Sequence, residues 1–329
     1  MKRMYTLIAF LCVFLGFAYF KEGQGTLKQS KPRIGVLTLM HHPALDQIYR
    51  GFVHELAKEG YHDGKNIEIE YENANGDQSN LKTMATKLVN DRSTVLFGIT
   101  TPAAQALANA DSHTPLVLGA VTDPQGARLV KNNRHPGGNI TGVSDQAPVA
   151  EQLKLIQQFM PHLQTLGVIY TSSDSSAVAG YHQIKQECKK KGIKLKAYSI
   201  ANSNDLNQVS QQMLSEVDAV IVPTDNTIAG AMQTLVKNAD AAQKPVFPAA
   251  DSMVKQGGVA TYSVNQYELG VRSAKMTVAI LKGKKPANMA IEYVRHGEPV
   301  LNLKQAQKLH LQVPKHFQQE AEQEGEVFK

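Results

Sequence analysis

Tryptophan is absent from this 329-residue chain, cysteine occurs only twice, and aromatic residues make up 6% of it. Two cysteines exclude a disulfide framework and a cysteine-rich metal centre. Cys12 lies in an apolar N-terminal stretch, so Cys188 stands alone in the body of the chain and no disulfide can form within it. Cys12 follows Leu11, where lipid attachment needs a small residue, so a lipid anchor is not expected. The adjacent pair His41-His42 precedes Pro43 in a loop, and no Cys/His spacing suits a metal. Enzyme signatures are missing too. There is no Gly-x-Ser-x-Gly, no Gly-x-Gly-x-x-Gly opening a helix, no Walker loop and no His-Glu-x-x-His. Neither catalysis nor a cofactor is expected, although acidic strand ends leave an acid–base pair open.

Charge is present but scattered. Thirty-five basic residues against 29 acidic ones give a net +6. The basic runs are short: Lys189-Lys190-Lys191, and Lys282 with Lys284-Lys285. No basic block is interleaved with aromatics, so the charge reads as a solvated surface and nucleic acid is not an expected partner. The first residues are different. Lys2 and Arg3 precede an uncharged stretch, Met4–Phe20, closed by Lys21 and Glu22. This is the pattern of an export signal, slightly short for a membrane span. Ala18-Tyr19-Phe20 makes a poor cleavage site, so residues 1–21 read either as a cleaved signal or as a retained anchor. Basic residues ahead of the stretch favour an N-in orientation, with the body outside the cytoplasmic membrane. Residues 22–31 are polar and suit a linker.

Beyond residue 31 the hydrophobic pattern alternates between strand and helix. Strands are expected at Ile34–Leu39, Ile67–Tyr71, Thr94–Ile99, Leu116–Val121 and Asn139–Val143. Helices are expected at Tyr49–Glu59, Asn80–Asn90 and Pro102–Ala110. The same order then restarts. Strands follow at Leu166–Tyr170, Lys194–Ser199, Ala219–Val222, Val246–Ala249 and Val259–Ser263. Helices follow at Val178–Lys191, Leu206–Ser215 (capped by Asn204 or Asp205), Ile228–Ala242 and Tyr267–Lys282. This is α/β organisation in two lobes, each a parallel sheet covered by helices, with a hinge near Asp145. Phe97 and Phe247 lie within strands and read as core.

Ligands of open α/β sheets sit at the carboxyl ends of the strands. Those ends carry His42 and Pro43, Thr100, Thr101 and Ala103, and Asp123 in the first lobe. In the second they carry Ser173 and Asp174, Asp225 and Asn226, and Asp251. Thr100-Thr101-Pro102-Ala103 is the most informative junction. A hydroxyl residue before a Pro-initiated helix is a natural cap, and the free N–H groups behind it accept an anion such as an amino-acid carboxylate. Asp123, Asp145 or Asp225 would hold an ammonium group. Asp123 is equally a turn residue before Pro124, Asp145 a hinge residue, and Asp225 or Asn226 a helix cap. Pro43, Tyr170 and Tyr262 are candidate walls for a side chain.

Taken together the motifs resemble a known family. They are Ile34-Gly35-Val36-Leu37, His42-Pro43-Ala44-Leu45-Asp46, Gly51-Phe52, Asn73-Ala74-Asn75-Gly76-Asp77, Thr101-Pro102-Ala103-Ala104-Gln105-Ala106, Val121-Thr122-Asp123-Pro124 and Gly138 to Asp145. Gly167-Val168-Ile169-Tyr170, Val222-Pro223-Thr224-Asp225-Asn226 and Leu269-Gly270 continue the set. From Lys31 to Val313 the chain resembles the extracytoplasmic substrate-binding proteins of ABC importers, in the tryptophan or aromatic amino-acid branch. The resemblance implies a type I periplasmic-binding fold with three crossovers between lobes. Lobe 1 would hold residues 32–144 and 265–284, and lobe 2 residues 145–264 and 285–329, with Ile291–Val294 returning to lobe 2. It implies an aromatic amino-acid ligand, no cofactor, a monomer, and a permease and ATPase as separate chains. Relatives carry an acidic residue and then Asn-Ser after the first strand of lobe 2. Here Asp174 takes the acidic position and no Asn follows. The rival readings are a ligand-sensing extracytoplasmic domain for another small anionic solute, and an extracytoplasmic enzyme.

Overall fold

The computed structural model describes residues 31–294 and 297–329. The expected export segment or anchor, residues 1–21, and all but the last residue of the linker lie outside them. Pro32–Lys329 form one compact unit, built around two principal sheets.

The first sheet is made by β1 (Arg33–Thr38), β2 (Glu68–Asn73), β3 (Val95–Ile99), β4 (Leu116–Gly119) and β5 (Ile140–Ser144). Between them run α1 (Pro43–Lys58), α2 (Gln78–Asn90) and α3 (Thr101–Ala110). Its strands pair in parallel, with β3 beside β1 and β4. Every residue of β3, β4 and β5 is buried, because helices cover both faces, and so these strands read as short continuous apolar runs. Helix α1 begins at Pro43, six residues before the expected Tyr49. Proline fits a first turn, where its missing N–H costs nothing.

The second sheet follows α4 (Val149–Phe159), a helix with no counterpart among the expected elements. It contains β6 (Thr165–Thr171), β7 (Lys194–Ile200), β8 (Ala219–Val222) and β9 (Val246–Pro248). The helices are α5 (Ser175–Lys191), α6 (Leu206–Leu214), α7 (Asn226–Gly230), α8 (Met232–Ala241) and α9 (Asp251–Lys255). Four strands pair in parallel in the order β7-β6-β8-β9. The expected helix Ile228–Ala242 is two helices, broken at Ala231, whose φ of −117° is not helical. Neither expected residue caps α6. Asn202 caps the short turn ahead of it, and Asp205 accepts from the Ala201 N–H instead.

The chain then forms β10 (Ala260–Ser263), α10 (Gln266–Leu281), β11 (Glu292–Tyr293), β12 (Glu298–Asn302), α11 (Leu303–Lys308), α12 (Lys315–Glu324) and β13 (Glu326–Phe328). Strands β10, β12 and β13 form a third small sheet, antiparallel between β10 and β12, so the second lobe is not wholly parallel. Helix α10 returns to the first lobe and packs closely on α1. Gly51 and Gly270 permit this approach. A Cβ on Gly51 would run into the Tyr267 carbonyl, and one on Gly270 into the Ile48 carbonyl. Below that contact Phe52 stacks on Phe97, ring centroids 4.0 Å apart.

One expected boundary needs correction. Residues 285–329 do not all join lobe 2, because β11 pairs in parallel with β5 of the first sheet. Met289 and Ile291 are buried in first-lobe core. A short strand at the sheet edge covers β5 at little cost in chain length. The chain therefore passes between lobes after Ser144, after Ser263, and between β11 and β12.

Candidate functional site

The carboxyl ends of β1, β3, β4 and β5 face those of β6, β8 and β9 across a nearly closed cleft with a cavity volume of about 30 Å³. Thr100, Ala120 and His42 line it from the first lobe. Asp225, Asn226 and Ser176 line it from the second, and Asp145 sits where the chain crosses between them. Among the described residues the lining contains no Lys or Arg and no Phe, Tyr or Trp.

The first-lobe wall is strained and unsatisfied. Thr100 has φ 89° and ψ 158°, a region populated essentially by glycine, and Ala120 has φ 69°. Strain of this kind costs about 1–3 kcal/mol per residue and gathers at functional sites. Thr100 precedes α3 but makes no capping bond, and the hydroxyls of Thr100 and Thr101 are buried with no hydrogen-bond partner. The expected side-chain cap is thus absent. The N–H groups of Thr101 and Ala103 have no carbonyl one turn back within the helix.

The second-lobe wall is already satisfied. Asp225 accepts from the Thr171 N–H at 2.6 Å, the Thr171 hydroxyl at 3.0 Å and the Ile228 N–H at 2.9 Å. Asp174 accepts from the Ser176 N–H and hydroxyl, both at 2.8 Å, and from the Asn226 amide at 2.9 Å. The Asn226 carbonyl oxygen meets Nε2 of His42 at 3.2 Å. Gln105 of α3 accepts from the Ser175 hydroxyl at 3.3 Å. These two contacts close the lobes on each other.

Electrostatics marks the cleft as cation-seeking. Asp145 is 7% exposed and accepts from the Thr122 hydroxyl at 2.9 Å. Burial pushes its pKa up to about 6, and proximity to Asp174 adds to this. Asp225, 2% exposed, is likewise pushed up to about 6 by burial and then by Asp174. Among the described residues no cation offsets either shift. Buried carboxylates without a partner are costly, and a ligand carrying positive charge relieves that cost. Burial also lowers the pKa of His42, which keeps the ring neutral.

The other sequence candidates fall elsewhere. Pro43 is exposed at the start of α1, outside the lining. Asp123 closes a turn by accepting from the Gly126 N–H. With Thr101 and Ser173 it lines a neighbouring outer pocket, not the cleft. The Ser173 hydroxyl is spent on the Ala201 carbonyl. Ala103 is buried in first-lobe core, outside the lining. Asp251, its pKa raised by burial, faces a different pocket beside Asn265 and Glu298. The candidate walls are also elsewhere. Tyr170 stacks on Tyr181, and Tyr262 packs on Phe317 with its hydroxyl on Glu320. The cleft is walled instead by Leu45, Met253, Val264 and several alanines, with Thr224 and Gln266 as further polar groups. Single apolar residues at strand ends carry no periodic signal, so sequence reading passes over them.

A two-lobed α/β receptor with a polar, cation-seeking cleft is the class that this fold and site define. Residues 33–324 match the ABC transporter substrate binding protein family, and the chain belongs to it. It is 31% identical over 281 residues to the tyrosine-binding protein of Clostridioides difficile, covering 85% of this chain and 81% of that one. It is 39% identical to an ABC domain from Streptococcus pneumoniae solved in complex with L-Trp. That match covers 91% of this chain and all of the other, with a TM-score of 0.87. A ligand-free, open substrate-binding protein with adhesive properties from Clostridium difficile is 32% identical. It covers 91% of this chain and 99% of its own, with a TM-score of 0.70. The family is one of solute-binding receptors, not enzymes.

Proposed function

We propose that this protein is the extracytoplasmic receptor of an ABC importer and binds an aromatic amino acid, tryptophan or tyrosine, between its lobes. The observation that carries the reading is the pairing of opposite needs across one cleft. The buried Thr100 hydroxyl, without a partner, stands at the start of α3 on one side, and buried carboxylates with no cation beside them among the described residues stand on the other. A zwitterion meets both needs. The ligand carboxylate docks on the Thr100 hydroxyl, at the start of α3. The ammonium is shared by Asp145 and Asp225 through charge-assisted hydrogen bonds, roughly twice as strong as neutral ones. The side chain packs on Leu45, Met253 and Val264. Ligands named for relatives, tyrosine and L-Trp, support the aromatic choice.

A ligand that touches both lobes only when they close stabilises the closed form, which a membrane permease then reads before its ATPase drives transport. Among the described residues no helix is long and apolar enough to cross a membrane. The N-terminal segment, cleaved or retained, places the body outside, and a monomer suffices for binding. Isothermal titration of the full-length chain, stripped of ligand by unfolding and refolding, against the twenty amino acids tests the reading. Saturable binding confined to tryptophan, tyrosine or phenylalanine, with compaction seen by small-angle scattering, is the expected result. Binding of none of the twenty overturns it.

A further inference from the structure

His42 is 8% exposed and stands at the first position before α1, where a side chain ordinarily caps the helix. It does not. No capping bond forms, and its Nδ1 is buried without any partner. Its other nitrogen, Nε2, reaches across the cleft to the carbonyl oxygen of Asn226 at 3.2 Å. The chemistry of the chain behind it decides which nitrogen carries the proton. The Asp174 carboxylate accepts, so the Asn226 amide turns its NH₂ toward it at 2.9 Å. Asp174 is itself held by the Ser176 N–H and hydroxyl. The Asn226 oxygen then faces His42 and can only accept, so Nε2 must donate. Burial keeps the ring neutral, and a neutral imidazole with its proton on Nε2 has a bare lone pair on Nδ1.

We infer that Asp174 and Asn226 are positioning residues that lock His42 as the Nε2–H tautomer, and that His42 Nδ1 accepts a hydrogen bond from the donor at the tip of the ligand's ring. This rests on the proposed function and adds a specificity rule to it. The ammonium goes to the carboxylates of Asp145 and Asp225, since a charged acceptor outcompetes a neutral imidazole. The orphaned neutral acceptor is left for a neutral donor, the indole N–H of tryptophan or the phenol O–H of tyrosine. Phenylalanine has neither. It would bury Nδ1 unpaired, and a site built around a hydrogen bond discriminates strongly against a ligand that cannot make it.

The test uses the full-length chain and needs no variant at first. L-tryptophan is titrated against 3-benzothienyl-L-alanine, an isostere in which sulfur replaces the indole N–H, and against L-tyrosine and L-phenylalanine. Tryptophan is expected to bind at least about 10-fold tighter than its isostere. In ¹⁵N spectra of histidine-labelled protein, His42 is expected to show the Nε2–H pattern, with Nδ1 shifting on addition of tryptophan and not of the isostere. His42→Leu weakens both ligands through loss of the contact to Asn226, and should also bring the ratio of tryptophan to isostere affinity to about 1. Asn226→Ala should release the tautomer and erase the selectivity. Equal binding of tryptophan and isostere overturns the inference alone, as does an Nδ1 signal that both move alike. Binding of none of the four ligands overturns the proposed function as well.

Discussion

The two walls of the cleft solve opposite problems. On the first lobe, Thr100 is held at φ 89° and its hydroxyl lacks a partner. On the second, Asp225 and Asp174 each accept three hydrogen bonds from their own lobe. One wall therefore keeps donors free for a ligand at the cost of strain. The other holds its carboxylates rigid before any ligand arrives. Pre-organised negative charge costs no reorganisation on binding, whereas free hydroxyls can turn to suit the ligand.

The largest effect should come from the scaffold beneath the strained wall. Gly270→Leu drives a side chain into the Ile48 carbonyl and forces α1 and α10 apart. It should cost about 3 kcal/mol or more, read as a lower urea midpoint, with ligand binding lost alongside. An unchanged midpoint would show that the first-lobe wall does not depend on this helix contact.

Next comes pH. The folded-state pKa of Asp145, about 6, lies above the ordinary value for an unfolded aspartate. Between about pH 4 and 6 the folded ligand-free protein therefore holds a proton that the unfolded chain has lost. Stability falls as pH rises through that window and levels off above it. Asp225 acts in the same sense, and neutral His42 in the opposite one. Comparison with Asp145→Asn isolates one group, since the amide oxygen still accepts from Thr122. The two proteins should be similarly stable at pH 4. The native one should fall behind by up to about 3 kcal/mol by pH 7, measured by urea denaturation at each pH. A gap that does not change with pH would remove Asp145 as a destabilised carboxylate.

Asp225→Ala probes the satisfied wall. It removes the cap of α7 and strands the Thr171 N–H, so stability should drop by about 2 kcal/mol. Affinity should fall with it, because the charge is lost too. Thr100→Gly is the smallest change and points the other way. Glycine relieves the backbone, and stability should rise by about 1 kcal/mol while affinity falls about 10-fold for want of one hydroxyl. Loss of both stability and binding in Thr100→Gly would erase the contrast between the walls. Thermal melting and titration of the same samples decide it.

Most of this organisation was legible in the residues themselves. Alternating short strands and amphipathic helices with glycine or aspartate at their ends reveal two α/β units. The Thr100–Ala103 junction, Asp225 and Asn226 announce themselves by residue type at strand ends. Less legible were the elements that depend on distant partners. Strand β11 is two residues long, and nothing local says that it adds to β5 rather than to the second lobe. The break at Ala231 follows Gly230, a helix-weakening residue whose signal the apolar periodicity on either side hides. Asp123 looked like Asp225 in sequence, but one closes a local turn and the other is drawn into the cleft by Thr171, 54 residues away. His42 was legible as a strand-end residue but not as the partner of Asn226.

Sequence by itself determined the alternation of elements, the likeness to a receptor family and the kinds of group available to a ligand. These follow from local periodicity and side-chain chemistry, which need no knowledge of the rest of the chain. Tertiary structure alone decided which carboxylates are buried without a cation, which hydroxyls are left without partners, and which imidazole nitrogen carries a proton. Burial and hydrogen bonding belong to pairs of residues distant in sequence: Asn226 with Asp174 is joined when the second lobe folds, and His42 with Asn226 when the two lobes close on one cleft.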